Sequence, residues 1–581
     1  MEYYGYTGKI LRVNLTTKRI SVEEIDENIL KKWIGGRGLG VYYFIKEVNP
    51  KINPLSDENK IIISSGPLTG IAGAPTPGRI VVVSKSPLTN RLGWSVGGGK
   101  FGPYLKFSGY DAIIIEGKSE EPVYISIIDG NIEINSAKDI WGKDVVESYN
   151  YLLNKCPGSS ILLIGPAGEN LVKYASINIE RYHAAGRLGF GAVFGSKKLK
   201  GIVVKGNNKL KIYNEGEFRK IMGEKLVKLR QNELVQDLSK YGTLGMLITR
   251  IGKHNAIPSN NFNQYMKIDA EKIKNDFLER IDIKESPKEA CWGCQIGCHK
   301  YIRTKIKELY AEGGAPEYWG GFVSLGSSLG IDDTDFIIYV KNLTDKLGLD
   351  TISTGHVISS FIELVQNKRI NYDIKWGDKE KIIELIRKIV YREDIGNELA
   401  EGSVYLANKY GNPKVSVSIK GLEIGLCHPG SAIGYRLALA TSNRGDHNQT
   451  MLRDEILLNK LDPEKKEGKV DYVIHMQNLF AIIDSLGICI FSSYALDFED
   501  LLEYYNAITG FNLSLEEFKK AAERIYTAER YFNVLSLGYE EDKLPSKFNY
   551  DISDLLKEYY EKRGWENGIP KKEKLKELKI I

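Results

Sequence analysis

Four cysteines frame the chemistry open to this chain. Cys291-Trp-Gly-Cys294-Gln-Ile-Gly-Cys298 places three of them close together, and Cys489 stands far downstream. A C-x2-C-x3-C set with a remote fourth thiolate is a donor set for a [4Fe–4S] cluster, which moves one electron at a time. Zinc is the alternative, kept open by His299 and the pair Cys427-His428, although zinc favours paired C-x2-C units or added histidines. The radical adenosylmethionine arrangement, C-x3-C-x2-C, is the reverse of this spacing. Cys156 and Cys427 are left over and are expected to be buried.

A short repeat gives the fourth cysteine a context. Asp345-Lys-Leu-Gly-Leu-Asp350 and Asp484-Ser-Leu-Gly-Ile-Cys489 share the pattern D-x-L-G-[LI]-[DC]. Each copy closes a helical stretch at a glycine, as helix C-termini commonly do. Each also carries an aspartate where the helix dipole disfavours negative charge. Chance C-caps are common, but the second copy ends on the cysteine that a cluster needs, which favours a binding role.

Two glycine-rich stretches, Gly97-Gly-Gly-Lys-Phe-Gly102 and Ala184 to Ser196 around Arg187, fit neither a P-loop nor G-x-G-x-x-G. Their backbone amides and Arg187 could still hold phosphate. Each alone reads as a turn. Arg444-Gly-Asp-His447 is compact and polar, and His447 is suited to proton transfer near neutral pH. Glu312 and Glu317 are loop carboxylates, a class that is mostly solvated.

The elements that must position these groups follow from pattern. Residues 1–208 read mainly as β, with few helices such as Glu27–Ile34. Apolar runs at 60–65, 79–84, 111–116, 123–128, 160–164 and 201–205 are bounded by Gly and Pro, and Asp129-Gly130-Asn131 makes a hairpin turn. Spacing near 3.6 predicts helices over 218–240, 379–393, 471–486, 515–533 and 554–562. The fold class is α+β: a β-rich domain at 1–208, then two mainly helical domains at 209–420 and 421–581.

The 581 residues carry 42% hydrophobic and 27% charged side chains and a net charge of +5, a globular composition without a strong pull toward nucleic acid or membrane. No run of spanning length and no leader is visible, and six cysteines make no disulfide scaffold. A cytoplasmic, reducing setting is expected. The Ile, Lys and Glu content points to a thermophile.

The motifs together resemble the tungsten-dependent aldehyde:ferredoxin oxidoreductases. The likeness runs from Gly5-Tyr-Thr-Gly-Lys-Ile-Leu-Arg-Val-Asn through Gly66-Pro-Leu-Thr-Gly and Ile164-Gly-Pro-Ala-Gly-Glu-Asn. It continues through Ala-Gly-Arg187, the cysteine cluster, the two D-x-L-G motifs and Arg444-Gly to Lys562-Arg-Gly-Trp565. The resemblance implies a tungsten bis-pterin cofactor beside a [4Fe–4S] cluster held by Cys291, Cys294, Cys298 and Cys489. It implies that Asp345 and Asp484 each hold a pterin, with Leu349, Asp350, Ile488 and Ile490 lending backbone. Arg79, Gly98, Ala184, Gly186, Arg187 and Arg444 would contact pterin or phosphate, with a Mg2+ bridging the phosphates.

Three positions depart from the family pattern. Trp319 stands where a second carboxylate is expected. Tyr339 and Asn342 occupy the E-x-x-H site of a metal that bridges subunits, and Val96 replaces an Asn near the Mg2+. The activity implied is oxidation of a small aldehyde to a carboxylic acid, with His447 and Glu317 handling protons and ferredoxin or a small multi-cluster subunit taking electrons. An oligomer lacking the bridging metal follows. The alternatives are a reductive subunit of the benzoyl-CoA reductase type and an electron-transfer scaffold.

Overall fold

The computed structural model describes residues 3–254, 256–266, 269–445, 453–539 and 542–581. The β-rich region is a duplication. β1 (Lys9–Asn14), β2 (Arg19–Glu24), β3 (Ile61–Ser64), β4 (Ile80–Lys85), β5 (Leu92–Gly97) and β6 (Ala112–Glu116) form one sheet in the order β2-β1-β6-β3-β4-β5. β7 (Val123–Ile128), β8 (Asn131–Ser136), β9 (Ser160–Leu163), β10 (Ile177–Ile179), β11 (His183–Ala185) and β12 (Leu199–Lys205) form a second, in the order β8-β7-β12-β9-β10-β11. The pairings correspond one for one: β1–β6 and β7–β12 are parallel, and every other neighbour is antiparallel.

The inner strands β3, β4, β6 and β9 are apolar at most positions because both faces are buried, whereas the edge strands β2 and β8 are polar. Alternate residues such as Ile61, Ile63 and Val82 meet Ile125, Leu162 and Ile202 of the second sheet in one cluster. The opposite face of the first sheet, Ile62, Val81, Val83 and Trp94, packs on Phe44, Ile482 and Ile525 from three helices. Tyr124, Leu163 and Val203 on the outer face of the second sheet receive Val145 and Leu152. The hairpin at Asp129-Gly130 is present, with both residues at positive φ, 49° and 90°.

Two expectations about helices are corrected. Helices are not few before residue 208: Gly36–Glu47, Phe101–Phe107, Val145–Lys155 and Phe190–Ser196 lie among the strands. Glycine content hid the first and last of these. The helix expected over 218–240 is two, Glu215–Gln231 and Glu233–Gly252, because the Asn232 side chain accepts from the amides of Leu234 and Val235 and starts the second. The helix Thr351–Gln366 gave no signal, since nearly all its faces are buried and amphipathic spacing is absent.

The D-x-L-G motifs behave as the sequence suggested. Helices Thr334–Leu347 and Lys469–Leu486 end at Gly348 and Gly487, both left-handed with φ of 78° and 75°. Each end docks on the loop that follows the third strand of one sheet. A Cβ on Gly66 would lie 2.1 Å from the Leu486 carbonyl carbon, and one on Gly165 would lie 2.6 Å from that of Leu347. Backbone hydrogen bonds fix both contacts: Leu68 N donates to Leu486 O at 3.1 Å, and Ser176 N to Gly348 O at 2.9 Å. Gly66→Ala and Gly165→Ala should therefore each cost about 1–3 kcal/mol by overpacking. Gly223→Ala, on an open helix face with nothing within 4 Å, should gain roughly 0.5–1 kcal/mol. Thermal unfolding of the three variants checks both signs.

Candidate functional site

The two helix ends, both glycine stretches and Cys489 surround one cavity of about 270 Å³. Its walls contain Arg79, Gly98, Ala184, Gly186 and Arg187 from the sheets, Glu317, Asp345, Leu349 and Asp350 from the middle of the chain, and Arg444, Asp484, Cys489 and Ile490 from the last third. Ile488 is not in the wall; its side chain is fully buried in the hydrophobic core, so only its backbone can face the motif. His447 lies outside the described residues.

A second, smaller cavity shares part of this wall. Cys291, Cys294, Cys298 and Cys489 line it together with Thr76, Arg79 and Phe491. Arg79 Nη2 donates to Cys489 Sγ at 2.8 Å, and Thr76 Oγ1 accepts from the Cys489 amide at 2.9 Å. Burial opposes the Arg79 charge, but the thiols of Cys489, Cys291 and Cys298 outweigh it and push its pKa up. Burial alone would raise Cys291; His183 and Arg79 bring it down to about 6. Cys294 is raised to about 11, by burial first and then by Cys291. Burial and the Cys294 charge likewise hold Cys298 far up. Cys294 and Cys298, which resist ionisation beside Cys291, form with it and Cys489 a donor set suited to a cationic centre.

Among the described residues, no three His, Cys, Asp or Glu side chains stand close enough to hold one metal. The four cysteines line one cavity instead, which disfavours the zinc alternative. Cys427 is buried as expected, with its thiol 3.3 Å from Ser431 Oγ. Cys156 is half-exposed rather than buried, because it caps the helix Val145–Lys155 at the sheet edge.

The two motif aspartates are held differently. Asp345 pairs with Lys341 one helical turn earlier, at 2.5 Å. Burial raises the Asp345 pKa to about 6, with Lys341 opposing. Asp484 has no exposed surface, and Arg37 lies 3.4 Å away. Arg37 also forms a fork with Glu529, at 2.6 and 2.8 Å, and lies 3.5 Å from the Trp94 ring centre. Arg444 lies near the same ring at 4.7 Å. Arg187 pairs with Asp350 at 3.0 Å and donates to the Glu423 carbonyl. Sequence spacing could have found Lys341, four residues before Asp345. Nothing in the sequence links Arg37 to Glu529.

The glycines leave room where a ligand would sit. A Cβ on Gly98 would lie 2.6 Å from Cys291 Sγ and 3.0 Å from Arg79 Nη1. One on Gly186 would meet only Ala184, at 3.8 Å. Glu317 accepts from Thr351 Oγ1 at 2.7 Å. Glu312 pairs with Arg303 at the surface, 2.9 Å away, and lies outside the site.

Comparison with known proteins places this geometry. The family described as "Aldehyde ferredoxin oxidoreductase, N-terminal domain" matches residues 10–206, and its companion, "domains 2 & 3", matches 220–580. A tungsten-containing aldehyde ferredoxin oxidoreductase of Pyrococcus furiosus is 41% identical over 99% of both chains, and one of Thermococcus kodakarensis is 40% identical over the same shares. An aliphatic sulfonate oxidoreductase, WOR-like subunit, of Pyrococcus furiosus is 32% identical over 99% of this chain and 97% of its own. The structure of the active site complex BamBC of benzoyl coenzyme A reductase with 1,5-dienoyl-CoA superposes with a TM-score of 0.87. Its identity is 25%, covering 100% of this chain and 98% of that one. Fold and site thus define an oxidoreductase. The chain belongs to the aldehyde ferredoxin oxidoreductase family.

One buried group beside the site gives a pH test. His356, on the helix that begins at Asp350, is fully buried against Phe262, and neither ring nitrogen has a hydrogen-bond partner among the described residues. Burial first, then Arg187 and Lys547, lowers its pKa to about 3. The unfolded chain takes up that proton near pH 6.5 and the folded one does not. Stability is therefore full above about pH 6.5 and falls as the pH drops toward 3, by roughly 2 kcal/mol at pH 5. In His356→Phe this part of the decline disappears, as denaturant titrations at pH 7 and pH 5 would show.

Proposed function

We propose that this chain oxidises an aldehyde with water to a carboxylic acid, releasing two protons and two electrons. The electrons go one at a time to ferredoxin or to a small ferredoxin-like subunit. What carries the reading is that both aspartate-ended helices and all four clustered thiols surround two cavities with a shared wall at Arg79 and Cys489. When bound, a tungsten bis-pterin supplies a two-electron couple and a [4Fe–4S] cluster a one-electron couple.

The residues present fit those groups. Cys291, Cys294, Cys298 and Cys489 hold the cluster in this reading, and Arg79 balances its charge from the shared wall. Asp345 and Asp484 hold the two pterins, helped by the backbone at Leu349, Asp350, Ile488 and Ile490. Gly98, Ala184 and Gly186 let the ligand approach the chain closely. Arg187 and Arg444 bring guanidinium groups suited to phosphate, and backbone carbonyls near Val96 would help hold a Mg2+ that balances the phosphate charge.

Proton handling falls to His447 and Glu317. Glu317 is held by Thr351 and sits at the start of the turn that carries Trp319. The partner is a small iron–sulfur protein; that the chain has a partner subunit at all is in keeping with relatives named as a WOR-like subunit and as the complex BamBC. Asn342 supports an oligomer without a bridging metal: it is buried and donates to the Ile338 carbonyl at 2.9 Å. The likeness to BamBC favours a second reading, reduction of an aromatic acyl-CoA.

Protein purified without oxygen should hold about one tungsten and about four iron atoms per chain. Cys489→Ser should lose most of the iron, and Asp345→Asn or Asp484→Asn most of the pterin, by elemental and pterin analysis. Wild-type protein should reduce a viologen dye with aldehyde. Dye oxidation with an acyl-CoA instead would favour the second reading, and absence of both tungsten and molybdenum would leave an electron-transfer scaffold.

A further inference from the structure

The organic half of the substrate is not specified by the groups that hold a cofactor. One short element bears on it. Residues Tyr318–Ser324 form a π-helical turn, with Phe322 N donating to Glu317 O at 3.1 Å and Leu325 N to Gly320 O at 3.0 Å. Such widened turns are rare and cluster at functional sites. Gly320 pins this one, since a Cβ there would lie 2.0 Å from Thr351 Oγ1 and 2.4 Å from Glu317 Oε1.

The widened turn places Trp319 in the wall of the large cavity, half-buried, while Tyr318 and Phe322 on either side are fully buried. Phe491, two residues past Cys489, lies beside it: the ring centres are 6.4 Å apart and the planes tilted by 41°. Tyr494 continues the row at 5.6 Å from Phe491. Phe491 lines both cavities and so stands where the large cavity meets the thiol-lined one. Trp319 and Phe491 both line the large cavity, with Tyr494 buried behind Phe491, and a further flat ring can join these two in offset or edge-on contact.

We infer that Trp319 and Phe491 form a wall that receives the aryl group of an aromatic aldehyde, with Trp319 as the specificity-determining residue. This rests on the reading of the cavity as an aldehyde-oxidising site and names the class of aldehyde. An aliphatic group of equal size would gain the apolar contact but not the ring-to-ring term. A short polar aldehyde would gain neither.

The experiment compares kcat/KM for benzaldehyde and acetaldehyde in the metal-loaded holoenzyme and its Trp319→Ala, Trp319→Phe and Phe491→Ala variants, together with binding of benzoate by quenching of tryptophan fluorescence. The wild type should prefer benzaldehyde. Trp319→Ala should lower the benzaldehyde-to-acetaldehyde ratio roughly tenfold, mostly through KM, and Trp319→Phe should keep most of it. Phe491→Ala should weaken benzoate binding in parallel. An unchanged ratio in Trp319→Ala at equal tungsten content overturns the inference, as does a wild type that prefers acetaldehyde. If Trp319→Ala does not fold, a Phe491→Ala variant with the wild-type ratio and wild-type benzoate binding overturns it too. Loaded wild type that oxidises neither aldehyde defeats the parent reading instead, and benzoate binding then still decides whether the wall takes an aryl group.

Discussion

The site depends on two backbone-to-backbone contacts, Gly66 against Leu486 and Gly165 against Leu347. At each, a helix end and a strand-end loop approach closer than any side chain would permit. Those contacts set where Asp345 and Asp484 stand and hold Cys489 beside Arg79. The sheets serve mainly to present the two loops in corresponding positions, which explains why their order and pairing are duplicated while their sequences have drifted apart. What remains common is small: a Gly-Pro after β3 and after β9, and a Phe-Gly opening the helix before β6 and before β12.

The halves are alike in backbone and unlike in charge. Asp345 is balanced from within its own helix by Lys341. Asp484 is balanced from elsewhere, by Arg37, and that cation in turn by Glu529. Two groups bound at corresponding positions would therefore feel different fields. The half next to Cys489 has the denser network of buried guanidinium groups, and this is also the half nearest the thiol-lined cavity.

Much of the site was legible in the sequence because it is carried by motifs with a mechanism. The cysteine spacing, the D-x-L-G pair and the glycines around Arg187 each require particular residue types at particular offsets, and they converge in space. The helices Gly36–Glu47 and Thr351–Gln366 were not legible, because glycine close packing and all-round burial erase amphipathic spacing. The strand duplication was missed because it lives in topology. The Arg37–Glu529 fork was invisible because it joins residues from opposite ends of the chain.

That fork has a consequence for assembly. Arg37 and Glu529 are 492 positions apart, so Arg37 cannot find its carboxylate until nearly the whole chain has been synthesised. Burying the guanidinium without that partner would cost several kcal/mol. The wall behind Asp484 is therefore among the last parts of the molecule to set, and domains that form earlier can be complete while this flank is still open. A group entering the cavity beside Asp484 would meet this flank open before the helix Leu515–Leu537 docks, and closed once Glu529 pairs with Arg37.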